Sequence, residues 1–489
     1  MAGTTTLILV MPPQLGLLKG FAAGLISLAN YVASRVPAVH VQLLDLSTTP
    51  VESLEHTIGQ HDLALDTKLV VGITTTTASY QAALAVARVY KGLAPTCTVV
   101  LGGPRASADA QTMLRSHPDV VDCIVVGEGE KMLVELFAHP SDMFSIPGLA
   151  FIHHGEFFEN PLPAFLTQEE LDSLPITFND EGLVGTPGKF EHVTYLSARG
   201  CPLKCAFCSV ANEQIRAKSV SRVVQDIRQL LNMGFSQIAI EDNFFAHSPA
   251  RTHALCTALT TLRMEEGLQF RWDCQTRVES MARKGVVALL ATAGCEAVYL
   301  GVESLNKDQL LYLNKTRNPD KYLEILLNVV VPALFDSPVD CYINLQFGLP
   351  EETEQQHKHT FDVLRRLGSM AVRTGKTLTV FPQLHVVYPG TLHFSTGVAE
   401  GRFPRDIFES FTRWEAYQAP ILTWLGEHFA HGTGGLPEGI LHPEKLRQGA
   451  YEVNVDAILR ISSALKSLER LPGIHPFKYG NHLVLQATA

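Results

Sequence analysis

Cysteine is scarce in this chain, nine among 489 residues. That is too sparse for a disulfide framework in a chain so long. Six of them (Cys97, Cys123, Cys256, Cys274, Cys295 and Cys341) stand in apolar or helical contexts, where a reduced buried thiol is the ordinary reading. Basic residues are in deficit: 39 Lys and Arg face 49 Asp and Glu, for a formal charge of −10. No basic run offers a phosphate track, which argues against nucleic acid as the main partner. No uninterrupted apolar run reaches the roughly 18 residues of a membrane span. The apolar start Met1–Val10 lacks the basic opening and small-residue cleavage site of a signal peptide. Repeats and low-complexity blocks are missing. The length leaves room for roughly two to four domains.

The scarce residue is concentrated once. Cys201-Pro202-Leu203-Lys204-Cys205-Ala206-Phe207-Cys208 spaces three cysteines as CxxxCxxC, just after an apolar run ending at Leu196. Thiolates are the usual soft ligands of iron, and three at this spacing can reach three corners of a cubic iron–sulfur cluster. No fourth cysteine is near: the next are Cys123 upstream and Cys256 downstream. One iron then stays open for another ligand, which suits chemistry. The competing reading is zinc, but zinc knuckles bring a second ligand pair, and His192 and His247 stand alone. An oxygen-sensitive cluster wants a reducing compartment, so a cytoplasmic location is expected.

These residues resemble the radical S-adenosylmethionine (SAM) superfamily, whose CxxxCxΦC motif puts an aromatic residue before the last cysteine; Phe207 fills that place. The resemblance implies a 4Fe–4S cluster on Cys201, Cys205 and Cys208 whose open iron is chelated by SAM. It also implies reductive cleavage of SAM to a 5′-deoxyadenosyl radical and an electron donor such as flavodoxin or ferredoxin.

Over the first 145 residues, strands at 7–10, 41–46, 69–74, 97–101 and 123–126 alternate with helical patterns, as at Phe21, Leu25, Leu28 and Val32 and over 78–92. The pattern predicts an α/β, doubly wound, Rossmann-like parallel sheet. Ligands of such sheets sit outside the carboxyl ends of the strands. The turns at Pro12-Pro13, Thr74–Thr77, Gly102-Gly103 and Gly127–Gly129 would line that rim, either as a nucleotide-type site or merely as tight turns. The order PPxxG…GITxT…LGGP…VVGEGE resembles the cobalamin-binding domain that precedes the radical SAM domain in one large subfamily. That resemblance implies cobalamin held by Thr74, Thr76, Gly102, Gly103 and Gly127. The turn Met11–Gly20 contains no His, so no protein ligand is expected beneath cobalt.

Residues 146–190, punctuated by five prolines, read as an irregular linker with a short hairpin around His153-His154-Gly155. That His pair is not a metal site, since adjacent strand residues point to opposite faces. From 191 to 395 the pattern is strand, loop, helix, six times over, which predicts a partial (β/α)6 barrel with functional groups at the carboxyl ends of its strands. The first helix is expected over 222–232 with Ser221 as its cap. Those ends carry Glu241-Asp242-Asn243, Gln275-Thr276-Arg277 and Gly301-Val302-Glu303-Ser304. The family resemblance implies that Glu241 or Asp242 meets the SAM amino group, Arg277 its carboxylate, and Glu303 and Ser304 its ribose, with Gln275 and Lys315 as further candidates. A carboxylate suits an ammonium group, and the Arg fork suits a carboxylate. Asp242 and Glu303 head the list. Residues 396–489 read as mainly helical, on Ile407, Phe411, Trp414 and Tyr417 and again over 453–468; in relatives this region shapes the substrate cavity.

The expected function is a cobalamin-dependent radical SAM methyltransferase acting on an unactivated carbon or phosphorus of a small molecule of natural-product or lipid type. Two alternatives stand beside it. One keeps cluster and SAM but transfers the 3-amino-3-carboxypropyl group or performs a cyclisation or rearrangement. The other is an oxygen-sensing module, which has no need of the polar strand ends at 241 and 303.

Overall fold

The computed structural model describes residues 5–13, 23–60, 68–139, 141–177, 192–408 and 435–476, with single positions at 411, 421, 423 and 425. They belong to two compact units, Met1–Phe190 and Glu191–Ala489.

In the first unit β1 (Thr5–Met11), β2 (Val39–Asp45), β3 (Lys68–Thr74), β4 (Thr98–Gly102) and β5 (Cys123–Val125) run parallel. β6 (Leu149–His153) and β7 (Glu156–Glu159) add an antiparallel edge, and the order is β2-β1-β3-β4-β5-β6-β7. Leu7–Met11 and Leu69–Ile73 are buried without a break. Such runs mark strands covered on both faces, as parallel sheets are. The strand order reverses between β1 and β3, so the ends at Met11 and Thr74 open a crevice of the kind that takes ligands in these sheets.

The stretch read as a linker is in part sheet. Leu149, Ala150 and Phe151 are buried, and Val125↔Leu149 and Cys123↔Phe151 pair across β5 and β6. His154 (φ 49°) and Gly155 (φ 82°) make the two-residue turn of that hairpin. A capping box at Thr167 and Glu170 then opens helix Gln168–Ser173, and Leu166, Leu171 and Leu174 pack on Tyr31. The first domain therefore does not end at 145, because the following residues bury apolar side chains in its sheet and on its helices.

In the second unit β8 (His192–Tyr195) leads to a short antiparallel pair, β9 (Ala198–Arg199) and β10 (Arg216–Ala217). Then come β11 (Gln237–Ile240), β12 (Arg271–Thr276), β13 (Cys295–Glu303), β14 (Asp340–Phe347), β15 (Leu378–Leu384) and β16 (Ile474–Pro476). Apart from β9 and β10 they form one parallel sheet in strict chain order. The six expected steps are present. The correction is β16: the C-terminal region adds a seventh strand beside β15, as well as the expected helix, Val455–Leu468. Ile407, Phe408 and Phe411 are buried with Leu436, Leu441 and Leu446. Trp414 and Tyr417 lie outside the described residues.

Burial alternates along the strands. Trp272, Cys274 and Thr276 of β12 are buried while Arg271 and Gln275 are exposed. The period of two gives one face to the covering helices and the other to the barrel interior. The first barrel helix, Val220–Asn232, is capped by Ser219, whose hydroxyl accepts from Arg222 N, two residues before the expected Ser221. Among the described residues no helix is long and apolar enough to cross a membrane.

Candidate active site

The cysteine loop hangs between β9 and β10. Gly200 enters it at φ +82°, and a Cβ there would fall 2.2 Å from the Gln214 carbonyl oxygen, so the clasp closes only on glycine. The loop is then sewn from both sides. Glu213 N donates to Cys201 O (2.8 Å), Ala206 N to Leu313 O (2.9 Å), His393 N to Ala206 O (2.9 Å), and Asn314 Nδ2 to Lys204 O (2.5 Å). All three thiols are free; Cys201 and Cys205 are buried and Cys208 and Phe207 half-buried. Burial pushes the Cys208 thiol up to about 11, and the thiols of Cys205 and Cys201 add to the rise; burial also raises Cys201. Ligation must therefore displace protons that the Cys201 and Cys208 thiols otherwise keep. Among the described residues no three His, Cys, Asp or Glu side chains converge on a single metal ion. Three thiols spread over one loop fit the separated corners of a cluster.

Two of the leading expected contacts are occupied by the protein itself. Asp242, 2% exposed, accepts from Ser197 N (2.6 Å), Ser197 Oγ (2.5 Å) and Ala198 N (2.9 Å). Arg251 Nη2 donates to Ser197 O and Oγ, both 3.1 Å, and closes the group. Burial nonetheless raises the Asp242 carboxyl above its ordinary value against those donors. Asp242 anchors the turn that leads into the cysteine loop. Its neighbour Glu241 is exposed, and no side chain among the described residues pairs with it. Glu303, held at φ +70°, accepts from Lys315 Nζ (3.2 Å) and Gln346 Nε2 (2.9 Å). A non-glycine residue in that region is strained. A Cβ on Gly301 would stand 2.9 Å from both Glu303 Oε1 and Lys315 Nζ, so glycine gives this buried pair its room. Ser304 donates to Gln309 Oε1 (2.6 Å) and accepts from Asn306 N (3.0 Å), shaping the start of helix Lys307–Tyr312.

Arg277 is likewise engaged by protein groups. Its Nε and Nη2 edge holds Glu279 (3.2 and 3.0 Å), Nη2 donates to the Lys315 carbonyl, and Nη1 donates to Cys205 Sγ (3.6 Å). Gln275 is exposed on the interior parity of β12.

The sequence reading missed three groups. His385 Nδ1 lies 2.7 Å from Gln346 Oε1, extending the Glu303 chain; burial, then His393 and Arg402, lower its pKa to about 3. Asp273, of the same parity as Gln275, is pushed up to about 7 by burial, then by the Glu241 and Glu296 carboxylates. Tyr299 and Tyr342 stack at 4.7 Å, and Phe381 lies 5.6 Å from each. The signal for the last two was parity: Tyr299 pairs with Tyr342 in register, and Asp273 with Ala239.

On the rim of the first unit the stitching residue is Thr75, fully buried. Its N and Oγ1 donate to Gly102 O (2.7 and 2.8 Å), and its Oγ1 accepts from Ala106 N (3.1 Å). Thr76 bonds reciprocally with Ser79 ahead of helix Tyr80–Leu93, and Thr74 is half-buried. Gly103 sits at φ +93°, and a Cβ there would lie 2.7 Å from Thr75 O. A Cβ on Gly102 would meet nothing within 4 Å, which leaves space for a flat ligand to lie against the backbone. Gly127, at φ +88°, donates its N–H to Ser107 Oγ (2.9 Å). The Met11–Gly20 turn is described only through Pro13.

Residues 20–137 match the family model described as the B12 binding domain, and residues 195–364 that of the radical SAM superfamily. An uncharacterised methyltransferase of Pyrococcus horikoshii is 28% identical over 379 residues, covering 74% of this chain and 78% of that one. The hopanoid C-3 methylase of Methylococcus capsulatus is 27% identical over 251 residues, covering 49% and 46%. Among solved structures, the radical SAM methyltransferase TsrM of Kitasatospora setae, with cobalamin and a 4Fe–4S cluster bound, superposes with a TM-score of 0.66 at 18% identity, covering 82% of this chain and 78% of that one. At that identity the likeness is one of fold.

Proposed function

We propose that this chain, which belongs to the radical SAM superfamily in the branch carrying an N-terminal B12-binding domain, is a cobalamin-dependent methyltransferase. Its substrate is a small molecule methylated at an unactivated carbon or phosphorus. When bound, the cluster and SAM supply one-electron radical chemistry and cobalamin carries the methyl group. The observation that carries the reading is the placement of three free thiols in one stitched loop after β8, with the unpaired Glu241 carboxylate at the end of β11.

In this reading Cys201, Cys205 and Cys208 ligate three irons, with Phe207 beside them. Glu241 accepts from the SAM ammonium group, a charge-assisted bond, and Gln275 supports it from the next strand. Asp242 holds the turn before the loop, and the Lys315–Glu303–Gln346 group, with Ser304 behind it, fixes the strand end at which the ribose lies. Thr74, Thr76, Gly102, Gly103 and Gly127 would frame the corrin and its nucleotide tail. The inward Tyr299, Tyr342 and Phe381 offer the substrate an aromatic wall. A flavodoxin- or ferredoxin-type electron donor and a cytoplasmic location complete the proposal.

The test is anaerobic reconstitution of the full chain with iron, sulfide and hydroxocobalamin, followed by incubation with SAM and candidate substrates. Retention of the corrin through gel filtration, with 5′-deoxyadenosine and S-adenosylhomocysteine formed together, is expected. Methylthioadenosine in their place marks aminocarboxypropyl transfer, and loss of the corrin overturns the methyltransferase reading.

A further inference from the structure

We infer that Arg277 serves the cluster and not the SAM carboxylate: it is a positioning residue that donates to the Cys205 sulfur and holds the reduction potential of the cluster up. The inference rests on the proposed 4Fe–4S assignment of the three cysteines.

The geometry of one side chain carries it. An arginine binds a carboxylate best through two parallel N–H groups on one edge of its fork. In Arg277 the Nε/Nη2 edge is already closed by Glu279, at 3.2 and 3.0 Å. The second N–H of Nη2 goes to the Lys315 carbonyl. What remains is Nη1, and it points at Cys205 Sγ, 3.6 Å away. The side chain is 12% exposed, so this charge is little screened. Lys315 in turn pairs with Glu303. The guanidinium is therefore locked from two sides, by Glu279 just after β12 and by the Lys315 carbonyl, with Nη1 left for the sulfur.

The sign follows from charge. Adding an electron to a thiolate-ligated cluster makes its sulfurs more negative, and hydrogen bonds to those sulfurs are among the features that set the potential. A cationic donor on Cys205 stabilises the reduced form more than the oxidised one. Lys315 Nζ is turned to Glu303, and the loop N–H groups of Leu203 and Val210 serve the sulfurs of Cys201 and Cys208, which leaves Arg277 as the side chain that donates to Cys205.

The experiment is a redox titration of the reconstituted full-length protein, read by the paramagnetic signal of the reduced cluster, beside equilibrium dialysis of SAM. At the potential where the native cluster is half reduced, R277M should lower the reduced-to-oxidised ratio about tenfold, or about 59 mV for a one-electron couple. Its SAM dissociation constant should stay within threefold. An unmoved potential overturns the inference, whether or not SAM affinity falls. If R277M does not take up the cluster, E279Q decides: stripping the anion from the far edge leaves the guanidinium more positive and should raise the reduced fraction several-fold, and no shift overturns the inference. A native protein that binds no cluster would instead sink the functional proposal, so the two failures are distinguishable.

Discussion

Asp242 and Glu241 are adjacent acids with opposite assignments, and substituting each in turn separates structure from ligand binding. In Asp242→Ala three hydrogen bonds to a carboxylate are lost, those from Ser197 N, Ser197 Oγ and Ala198 N. Bonds to charged groups contribute about 1.5–3 kcal/mol each, but the losses are not additive, because one cavity and one set of orphaned donors are shared. The better guide is the cost of breaking a buried charged group, about 3–5 kcal/mol. That is a large part of a domain's usual net stability of about 5–15 kcal/mol. Asp242→Asn keeps one acceptor oxygen for the two backbone N–H groups and should lose about 1–2 kcal/mol. Glu241→Gln removes a charge that has no hydrogen-bonded or ion-paired side chain among the described residues and that burial and the Asp242 carboxylate disfavour, so stability should hold or rise slightly, within about 0.5 kcal/mol. SAM affinity should run the other way. Glu241→Gln forfeits a charge-assisted bond of about 1.5–3 kcal/mol, roughly a 10- to 150-fold weaker dissociation constant, while Asp242→Asn stays within threefold. The assays are urea unfolding of the full chain, followed through the barrel transition, and SAM dialysis on the reconstituted protein. Asp242→Asn that unfolds like the native chain yet binds SAM tenfold more weakly would refute the reasoning.

Other outcomes follow from single features. His385 has its folded pKa lowered to about 3 from an ordinary 6.5, chiefly by burial. The unfolded chain therefore takes up a proton below pH 6.5 that the folded chain refuses until about pH 3. The stability it contributes is complete above pH 6.5 and falls by about 1.4 kcal/mol per pH unit beneath it. His385→Gln should flatten the acid limb of the stability profile by about 2 kcal/mol between pH 6.5 and 5, seen by urea titration at each pH; an unchanged limb places the proton elsewhere. Gly200→Ala meets both the left-handed φ and the Gln214 carbonyl, and should cost at least about 1–3 kcal/mol and lower iron content on reconstitution. The triple Cys201, Cys205, Cys208→Ala variant should keep its circular dichroism and lose the brown absorbance; retention of about four irons per chain would end the cluster assignment.

Much of the scaffold was legible because period-two and helical patterns are local. The eleven strands expected in the two domains are all present, and the glycine- and threonine-rich turns do cap the parallel strands. The hairpin at His154-Gly155 could also be read, but its pairing could not: that Leu149 meets Val125 depends on a partner 24 residues away. β16 was missed because three residues, Ile474–Pro476, are too few to show a period. At the site the sequence named charged side chains at the strand ends, and the structure adds the protein partners of several of them. Asp242, Glu303 and Arg277 sit where charged ligand contacts belong, yet each is bonded to protein groups from distant segments: Ser197, Gln346 and Cys205. Sequence shows which side chains reach a strand end. It does not show which of them the protein has already satisfied, and that decides between a contact and an anchor.

The strict chain order of the barrel sheet also sets a schedule for making the protein. From β8 to β15 each strand lies beside the one synthesised before it. The sheet can therefore be laid down as the chain emerges, at low cost in loop closure. The schedule then pauses. β15 ends at Leu384, and its outer neighbour, β16, begins only at Ile474. For all of that interval one edge of the sheet is unpaired, the condition under which strands recruit wrong partners. The cysteine loop waits on the same interval, since its Ala206 carbonyl receives the His393 N–H only after residue 393 has been made. Before that point the loop lacks the last of the bonds that fix it, so its final geometry is reached only once residue 393 is in place.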